Sequence, residues 1–240
     1  MRRNIPIWDY FIFNGKSCLD FGVKISEGDW DSAERDVDSY AVPGRSGELT
    51  IDNGRFKNKK IVYPAYIPED LEDRLAAFVD FMMSQPGYFR LEDTYHPEIF
   101  RLARYSGPTD MKKTRFAEGA TFNVEFDAMP QKWLKSGEIP IEITEQIELY
   151  NPTFQTALPK IEVTAGTGEL WIDDQRTTIT ANNGALIIDS QMQNCYEGTT
   201  NRNSAVSFSN GEYPQLGPGI HTITPGTGMT IKLTPRWWRV

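Results

Sequence analysis

The sequence predicts a mainly β fold with two domains, an α+β N-terminal domain that has one helix and a C-terminal β-sandwich. Three observations predict it: a single amphipathic helix pattern, many short β runs between turns, and a change of composition near Lys135. Apolar residues make up 39% of the 240 positions and aromatic residues 12%, which is enough for packed cores.

The helix is predicted over residues 69–85. Its apolar side chains recur at spacings of three and four residues and form one stripe: Leu71, Leu75, Phe78, Val79, Met82 and Met83. Acidic residues follow Pro68, where the positive end of the helix dipole favours them, and Pro86-Gly87 ends the pattern.

Strands are predicted on both sides of this helix. The run Tyr10–Phe13 precedes an Asn-Gly turn, and Tyr88–Leu91 follows the helix. The run Ala120–Ala128 alternates apolar and polar residues, as a half-buried strand does. One helix among such strands gives the α+β prediction for this part of the chain.

The domain boundary is predicted from charge and threonine content. Residues 1–135 hold 22 acidic and 19 basic residues, whereas residues 136–240 hold 11 and 6. Threonine rises from 5 in the first part to 15 in the second. We therefore expect an N-terminal domain at 1–135 and a C-terminal domain at 136–240, with the joint near Pro130–Gly137.

The C-terminal part contains short β runs and glycine-rich turns, with no helix pattern. The predicted strands are Lys160–Thr164, Glu169–Ile172, Thr177–Thr180, Ala185–Asp189, His221–Thr224 and Met229–Thr234. Strands that recur about every ten residues without helices are typical of a β-sandwich.

Charge and cysteine content exclude several classes of protein. The net charge of −8 disfavours a protein that binds nucleic acid by neutralising phosphates, and favours a surface that nucleic acid can pass without sticking. Cys18 and Cys195 lie far apart and outside any metal-ligand spacing, so we expect reduced thiols and no metal. No apolar run approaches the roughly 18 residues of a membrane span, and we expect no membrane contact.

The sequence offers little for catalysis, and we expect neither an enzyme nor a cofactor. Its two histidines, His96 and His221, have no nucleophile motif beside them. Asp173 and Asp174 are adjacent, so on a strand they would point to opposite faces and could not flank one bond. This pair predicts a hairpin tip.

Carbohydrate binding without catalysis is the alternative, as a β-sandwich module that takes part in host-surface attachment. Sandwich lectins use exposed aromatic side chains, and the C-terminal part has five candidates: Trp171, Tyr196, Tyr213, Trp237 and Trp238. Core packing is the competing interpretation for each of them.

The order of motifs resembles one known family. The runs FIFNGKSCLDFGVKISEG and SAERDVDSYAVPGRSGELTIDNGRFKN, followed by MPQKWLKSGE, IELYNPTFQTALPKIEV and the closing TPRWWRV, resemble the distal tail (Dit) proteins of siphophages and their prophages. The resemblance spans nearly the full chain, and the order of FNG, DFG, PGRSG and NGR is its most specific part.

This resemblance implies a structural role in the virion tail tip, assembled in the bacterial host cytoplasm. Distal tail proteins form a homo-hexameric ring that joins the tail tube protein to the tail-tip hub and the receptor-binding protein. DNA leaves through the lumen without specific binding. The N-terminal domain builds the ring, and a galectin-like or carbohydrate-module-like sandwich faces outward.

The charged, turn-rich segment Ser32–Phe56 is interpreted as an arm for this assembly. Interleaved charges and extended runs on both sides of a turn suit a contact between non-identical surfaces of neighbouring subunits. The candidate interface residues are Arg35, Asp36, Pro43, Gly44, Arg45, Ser46, Gly47 and Arg55. A solvated surface loop is the alternative.

Overall fold

The computed structural model describes residues 8–28, 32–68, 71–107, 111–113 and 119–240. The fold is mainly β, as the sequence predicts, and the chain divides into two compact units. One unit consists of the residues up to Lys132 together with Val240, and the other spans Trp133–Arg239. No helix in the described ranges is long and apolar enough to cross a bilayer.

The described residues of the first unit form ten strands and one α-helix. They are β1 (Phe11–Phe13), β2 (Lys16–Ser17), β3 (Lys24–Ile25), β4 (Arg35–Ala41), β5 (Glu48–Phe56), β6 (Lys59–Ile67), α1 (Leu71–Met83), β7 (Phe89–Asp93), β8 (Ile99–Tyr105), β9 (Met111–Lys113) and β10 (Ala120–Ala128). Seven strands form an antiparallel sheet in the order β2-β1-β7-β8-β10-β6-β3, and β9 pairs along β10. Strands β4 and β5 form a separate two-stranded sheet.

Alternation in the sequence builds the core of this unit. Strand β10 pairs with β6 over nine residues, and its apolar side chains at 122, 124 and 126 are buried while the residues between them are exposed or half-buried. The ring of Phe126 packs against those of Phe11, Phe13 and Tyr63 at centroid distances of 5.1–6.1 Å. Aromatic contacts of this kind add to the burial of apolar area.

Helix α1 covers this core with Phe78 and Met82, both buried in the same cluster. Leu75 and Val79 are half-buried beside them. The predicted stripe is wrong for Met83, which is exposed. Consecutive residues differ by about 100° around a helix, so with Met82 turned inward the last residue of α1 faces solvent.

The second unit consists of short strands. They are β11 (Lys132–Leu134, which begins at the boundary), β12 (Ile141–Ile143), β13 (Ile147–Asn151), β14 (Lys160–Ala165), β15 (Gly168–Ile172), β16 (Gln175–Ile179), β17 (Leu186–Asp189), β18 (Asn194–Glu197), β19 (Thr200–Asn201), β20 (Val206–Phe208), β21 (Gly219–Pro225), β22 (Thr230–Thr234) and β23 (Trp238–Arg239). Three short 3-10 helices complete the described chain: Cys18–Phe21, Lys135–Glu138 and Asn203–Ala205.

Eleven of these strands form two antiparallel sheets, each with one buried face, and β11 pairs with β23 outside them. The first has the order β12-β22-β14-β17-β18-β19 and the second β13-β21-β15-β16-β20. The buried faces consist mostly of branched aliphatic side chains, such as Ile161, Val163, Ile231 and Leu233 in the first sheet and Ile223 in the second. This is the arrangement of a β-sandwich.

Both thiols lie inside the fold, and we expect them to be unreactive. Cys18 and Cys195 are free and buried, and burial raises the pKa of Cys18 to about 12 and that of Cys195 to about 11. Because the thiolate is the nucleophile, Ellman's reagent at pH 8 should label the native protein about a hundredfold or more slowly than the urea-unfolded chain. Rapid labelling of either thiol in the native protein would contradict this placement.

Candidate subunit interface

The segment Ser32–Phe56 forms a hairpin that stands in solvent. Strands β4 and β5 pair antiparallel from Ala41↔Glu48 at the tip to Arg35↔Phe56 at the base, with a register shift between Arg35 and Val37. All but one residue of each strand are exposed. We call this hairpin, residues 35–56, the arm.

Two glycines shape the tip of the arm. Gly44 and Gly47 have φ values of 80° and 85°, a backbone conformation that residues with a Cβ rarely adopt. A Cβ added at either position would meet no atom within 4 Å, so the requirement for glycine is conformational. The backbone N–H of Arg45 donates to the carbonyl of Val42 at 3.1 Å and closes the turn between them. Pro43 and Ser46 complete this exposed tip.

Three of the predicted charged residues, Arg35, Asp36 and Arg55, form ion pairs in the arm. Arg35 contacts Asp52 at 2.9 Å, and Arg55 contacts Asp36 at 2.6 Å. Lys57 approaches the second oxygen of Asp36 at 3.9 Å. Such exposed pairs contribute between 0 and about 1 kcal/mol each, so their main effect is to hold the two strands in register.

The arm also has an apolar strip on one face, which the predicted interface residues do not include. The register places Tyr40 opposite Leu49 and Asp38 opposite Ile51, so the side chains of Tyr40, Leu49 and Ile51 lie on one face. Val42 follows directly after the end of β4, beside this face. The four apolar side chains are 40–52% exposed. We call Tyr40, Val42, Leu49 and Ile51 the apolar strip. The alternation of Leu49 and Ile51 with polar residues was the sequence signal for it.

The opposite face of the arm is mostly small and polar, with one exposed apolar side chain, Val37, near the base. Ser39 pairs with Thr50, and Ala41 pairs with Glu48. The arm therefore presents one face that is richer in exposed apolar side chains than the other. An isolated two-stranded hairpin is at best marginally stable in water, and an exposed apolar patch marks a surface for contact. Each strand also has one edge that pairs with no other strand among the described residues, and open edges accept further strands.

The two histidines have structural partners. His96 Nδ1 lies 2.9 Å from Asp93 Oδ1, and Asp93 also accepts a hydrogen bond from the hydroxyl of Tyr63 at 2.7 Å. His221 lies between Asp173 Oδ2 at 2.6 Å and the carbonyl oxygen of Gly217 at 2.7 Å. In the described residues, no group of three or more His, Cys, Asp or Glu side chains is placed to hold a metal ion.

Asp173 and Asp174 form the turn between β15 and β16, as the sequence predicts. Asp173 has a φ of 51°, and its carboxylate accepts a hydrogen bond from the backbone N–H of Thr222 at 2.8 Å. The two residues therefore form a hairpin tip, and the carboxylate of Asp173 is hydrogen-bonded to the neighbouring strand β21.

The five aromatic candidates of the second unit have different surroundings. Trp237 is buried, and the indole N–H of Trp238 donates to the carbonyl of Thr156 at 3.0 Å. Tyr213 packs on the ring of Phe208 at 4.5 Å. Tyr196 is half-buried in β18. Trp171 is 38% exposed on β15.

No protein-family model matches the chain, and no curated protein matches it.

Comparison with solved structures gives matches along nearly the whole chain. The crystal structure of the SPP1 Dit (gp 19.1) protein, described as a paradigm of hub adsorption apparatus in phages that infect Gram-positive hosts, superposes with a TM-score of 0.73 at 13% identity. That match covers 97% of this chain and 99% of the SPP1 chain. A chain of the phage P2 baseplate in its Ca-activated conformation gives a TM-score of 0.48 at 10% identity, over 95% and 98% of the two chains. The chain therefore has the fold of the SPP1 Dit protein, which confirms the predicted resemblance to the distal tail proteins.

Proposed function

We propose that the protein is a structural component of a phage or prophage tail tip, a homo-hexameric ring adaptor of the distal tail type. The observation that carries the proposal is the likeness to the SPP1 Dit protein over 97% of this chain and 99% of that chain. A likeness over both units is stronger support than one over a sandwich alone, since sandwiches serve many unrelated functions.

The geometry of the arm supports the ring. A closed ring with six-fold symmetry needs two different, complementary surfaces on each subunit. The arm supplies one of them, because its apolar strip is exposed in the single chain and its strands have open edges. A neighbouring subunit that covers the strip would remove the apolar surface from water.

In this proposal the ring joins the tail tube protein to the tail-tip hub and the receptor-binding protein. DNA leaves through the lumen, and the net charge of −8 per chain supports passage without binding, because an acidic surface repels phosphates. The protein would reside at the tip of the virion tail after assembly in the bacterial host cytoplasm.

Solution mass is the direct test of the ring. Light scattering on a sizing column should give about six times the 27.3 kDa of the chain, and negative-stain images of the peak should show six-fold rings with an open centre. A monomer that stays monomeric when mixed with its tail tube and hub proteins would contradict the proposal.

Charge reversal at the tip tests the predicted residues of the arm. Arg45→Glu should weaken subunit association while leaving the fold intact, since exposed substitutions usually change stability by less than about 0.5 kcal/mol. Circular dichroism checks the fold, and light scattering over a dilution series measures association. The same dissociation curve for Arg45→Glu and wild type would remove Arg45 from the interface.

A further inference from the structure

The arm joins the rest of the first unit through a narrow base. The backbone N–H of Lys57 donates to the carbonyl of Glu34 at 2.8 Å, and this bond closes the base below β4 and β5. Among the described residues, every hydrogen bond and ion pair that a side chain of residues 35–56 makes is with another residue of the arm or with Lys57. The direction of the arm therefore depends on the few residues at its base.

The length of the arm makes this direction sensitive to small changes at the base. Strand β4 has seven residues and is therefore roughly 23 Å long, so a rotation of about 10° at the base moves the tip by roughly 4 Å. A displacement of this size exceeds the length of a hydrogen bond. A contact made near the tip therefore requires a base that holds its geometry.

Asn58 lies between β5 and β6 and connects the base to the large sheet through its side-chain amide. Its Nδ2 donates to the hydroxyl of Tyr88 at 2.6 Å and to Asp127 Oδ2 at 3.2 Å. The same carboxylate oxygen accepts from the hydroxyl of Tyr88 at 3.1 Å and from Nε of Arg104 at 2.8 Å. We call Asn58, Tyr88, Arg104 and Asp127 the base latch. It bonds the residue that follows the arm to β8, to β10 and to the residue that precedes β7.

The charge of Asp127 strengthens the base latch. Burial alone would raise the pKa of Asp127, but the hydrogen bonds from Arg104, Tyr88 and Asn58 hold it below its usual range. Hydrogen bonds to an ionised acceptor are stronger than those between neutral groups. Asp127 and Arg104 are also register partners across β10 and β8, so the sheet fixes this part of the latch. Asn58 is the member that is continuous with the arm.

We propose that the base latch sets the direction in which the arm leaves the first unit, and that opening the latch leaves the arm folded but free to change direction. The arm keeps its own strand pairing in either state, because its two closest ion pairs, Arg35 with Asp52 and Arg55 with Asp36, lie within it. A direction that is set in advance reduces the conformational entropy that a binding surface loses on contact. This inference concerns the single chain and does not depend on the proposed ring.

Double electron–electron resonance on the full chain tests the proposal. Spin labels are attached at Ser46→Cys in the tip of the arm and at Thr121→Cys, an exposed position on β10, while the two native thiols are buried and should stay unlabelled. The protein is diluted until light scattering gives the 27.3 kDa of one chain, so that no neighbour holds the arm. The double variant Tyr40→Ser, Leu49→Ser serves as the background if the chains do not dissociate.

The latch variants are Asn58→Ala and Tyr88→Phe. The matched control is Gln85→Ala, which removes a side-chain hydrogen bond of 2.7 Å to Asn14 elsewhere on the same unit. Circular dichroism and the melting temperature establish that each variant is folded.

We expect one narrow distribution of label distances in the chain with an intact latch, and a distribution about twice as wide or wider in Asn58→Ala, because both bonds that fix the base are lost. Tyr88→Phe should lie between the two, since the bond from Asn58 to Asp127 remains, and Gln85→Ala should match the intact latch. Tyr88→Phe carries the test if Asn58→Ala fails to fold. Distributions of equal width with the latch intact and opened overturn the proposal, whether both are narrow or both are broad. A failure of the chain to form rings would contradict the proposed function and leave this result unchanged, because the distances are measured on single chains.

Discussion

Asp189→Asn is expected to lower the free energy of unfolding of the C-terminal unit by about 3 kcal/mol. The Asp189 side chain is only 2% exposed, and it accepts two hydrogen bonds from the Arg236 guanidinium at 2.7 and 2.8 Å. It also accepts the backbone N–H groups of Gln191 and Met192 at 3.1 Å. The cost lies at the lower end of the range for a broken buried pair, because Arg236 keeps 22% of its side-chain exposure and can be partly rehydrated.

The measurement is urea unfolding of the full chain followed by tryptophan fluorescence, since four of the six tryptophans lie at or after Trp133. Asp174→Asn is the matched control, because this carboxylate is exposed at the tip of the β15–β16 hairpin and should change stability by less than about 0.5 kcal/mol. Equal effects of the two variants would show that the Arg236 pair contributes nothing.

The same pair predicts a pH dependence. Burial alone would raise the pKa of Asp189, but the Arg236 guanidinium and the two backbone N–H groups together hold it below its usual range. A carboxylate with a lowered pKa in the folded state stabilises the protein above its unfolded pKa of about 3.9, and this stabilisation is lost as pH falls through the folded value. The wild-type protein should therefore keep a larger free energy of unfolding than Asp189→Asn down to about pH 4, and this difference should disappear only below that pH. If the difference in free energy of unfolding between the two proteins shrinks between pH 7 and pH 5, the pKa of Asp189 is not lowered in the folded state.

Loss of the proposed ring is the expected result of the double variant Tyr40→Ser, Leu49→Ser in the apolar strip. The two side chains are cross-strand neighbours and are 52% and 46% exposed in the single chain. Burying one large apolar side chain contributes about 1.5–3 kcal/mol, so the loss of two should weaken each subunit contact about a hundredfold or more. Folding of the monomer should be unaffected, because neither side chain belongs to the core.

Light scattering over a dilution series measures this loss. The matched control is the double variant Ala41→Ser, Thr50→Ser on the opposite face of the same strands. We expect the control to assemble as wild type does. Rings that persist in the Tyr40, Leu49 variant would exclude the apolar strip from the interface, and dissociation of the control to the same degree would show that the two faces are equivalent.

Local alternation explains most of what the sequence predicted about the fold. Strand β10 and the hairpin tip at Asp173-Asp174 follow from patterns within ten residues, and both are present. Strands β12 and β20 were not predicted, because runs of three residues give no measurable period. They are strands because β22 and β16 supply their hydrogen-bond partners, which lie far away in sequence.

The sequence identified the segment that forms the candidate interface, but it did not show which side chains of that segment share one face. Charge and turn residues identified Ser32–Phe56, whereas the face to which each side chain points depends on the pairing of Tyr40 with Leu49 and on the register shift near Arg35. A one-residue change in register would have turned the apolar strip to the other side of the arm. The ion pairs of Arg35 and Arg55 are likewise set by pairing, so the sequence could not tell an internal partner from a neighbouring subunit.

The ion pairs of the arm have a consequence beyond register. A hairpin with open edges and an apolar strip is at risk of stacking on identical hairpins into fibrils while new chains accumulate in a cell. Stacking in register would place Asp36 beside Asp36 and Arg55 beside Arg55 of the next copy, and like charges at strand spacing repel. Ion pairs that add little to the stability of one chain thus disfavour the stacking of identical arms into a polymer.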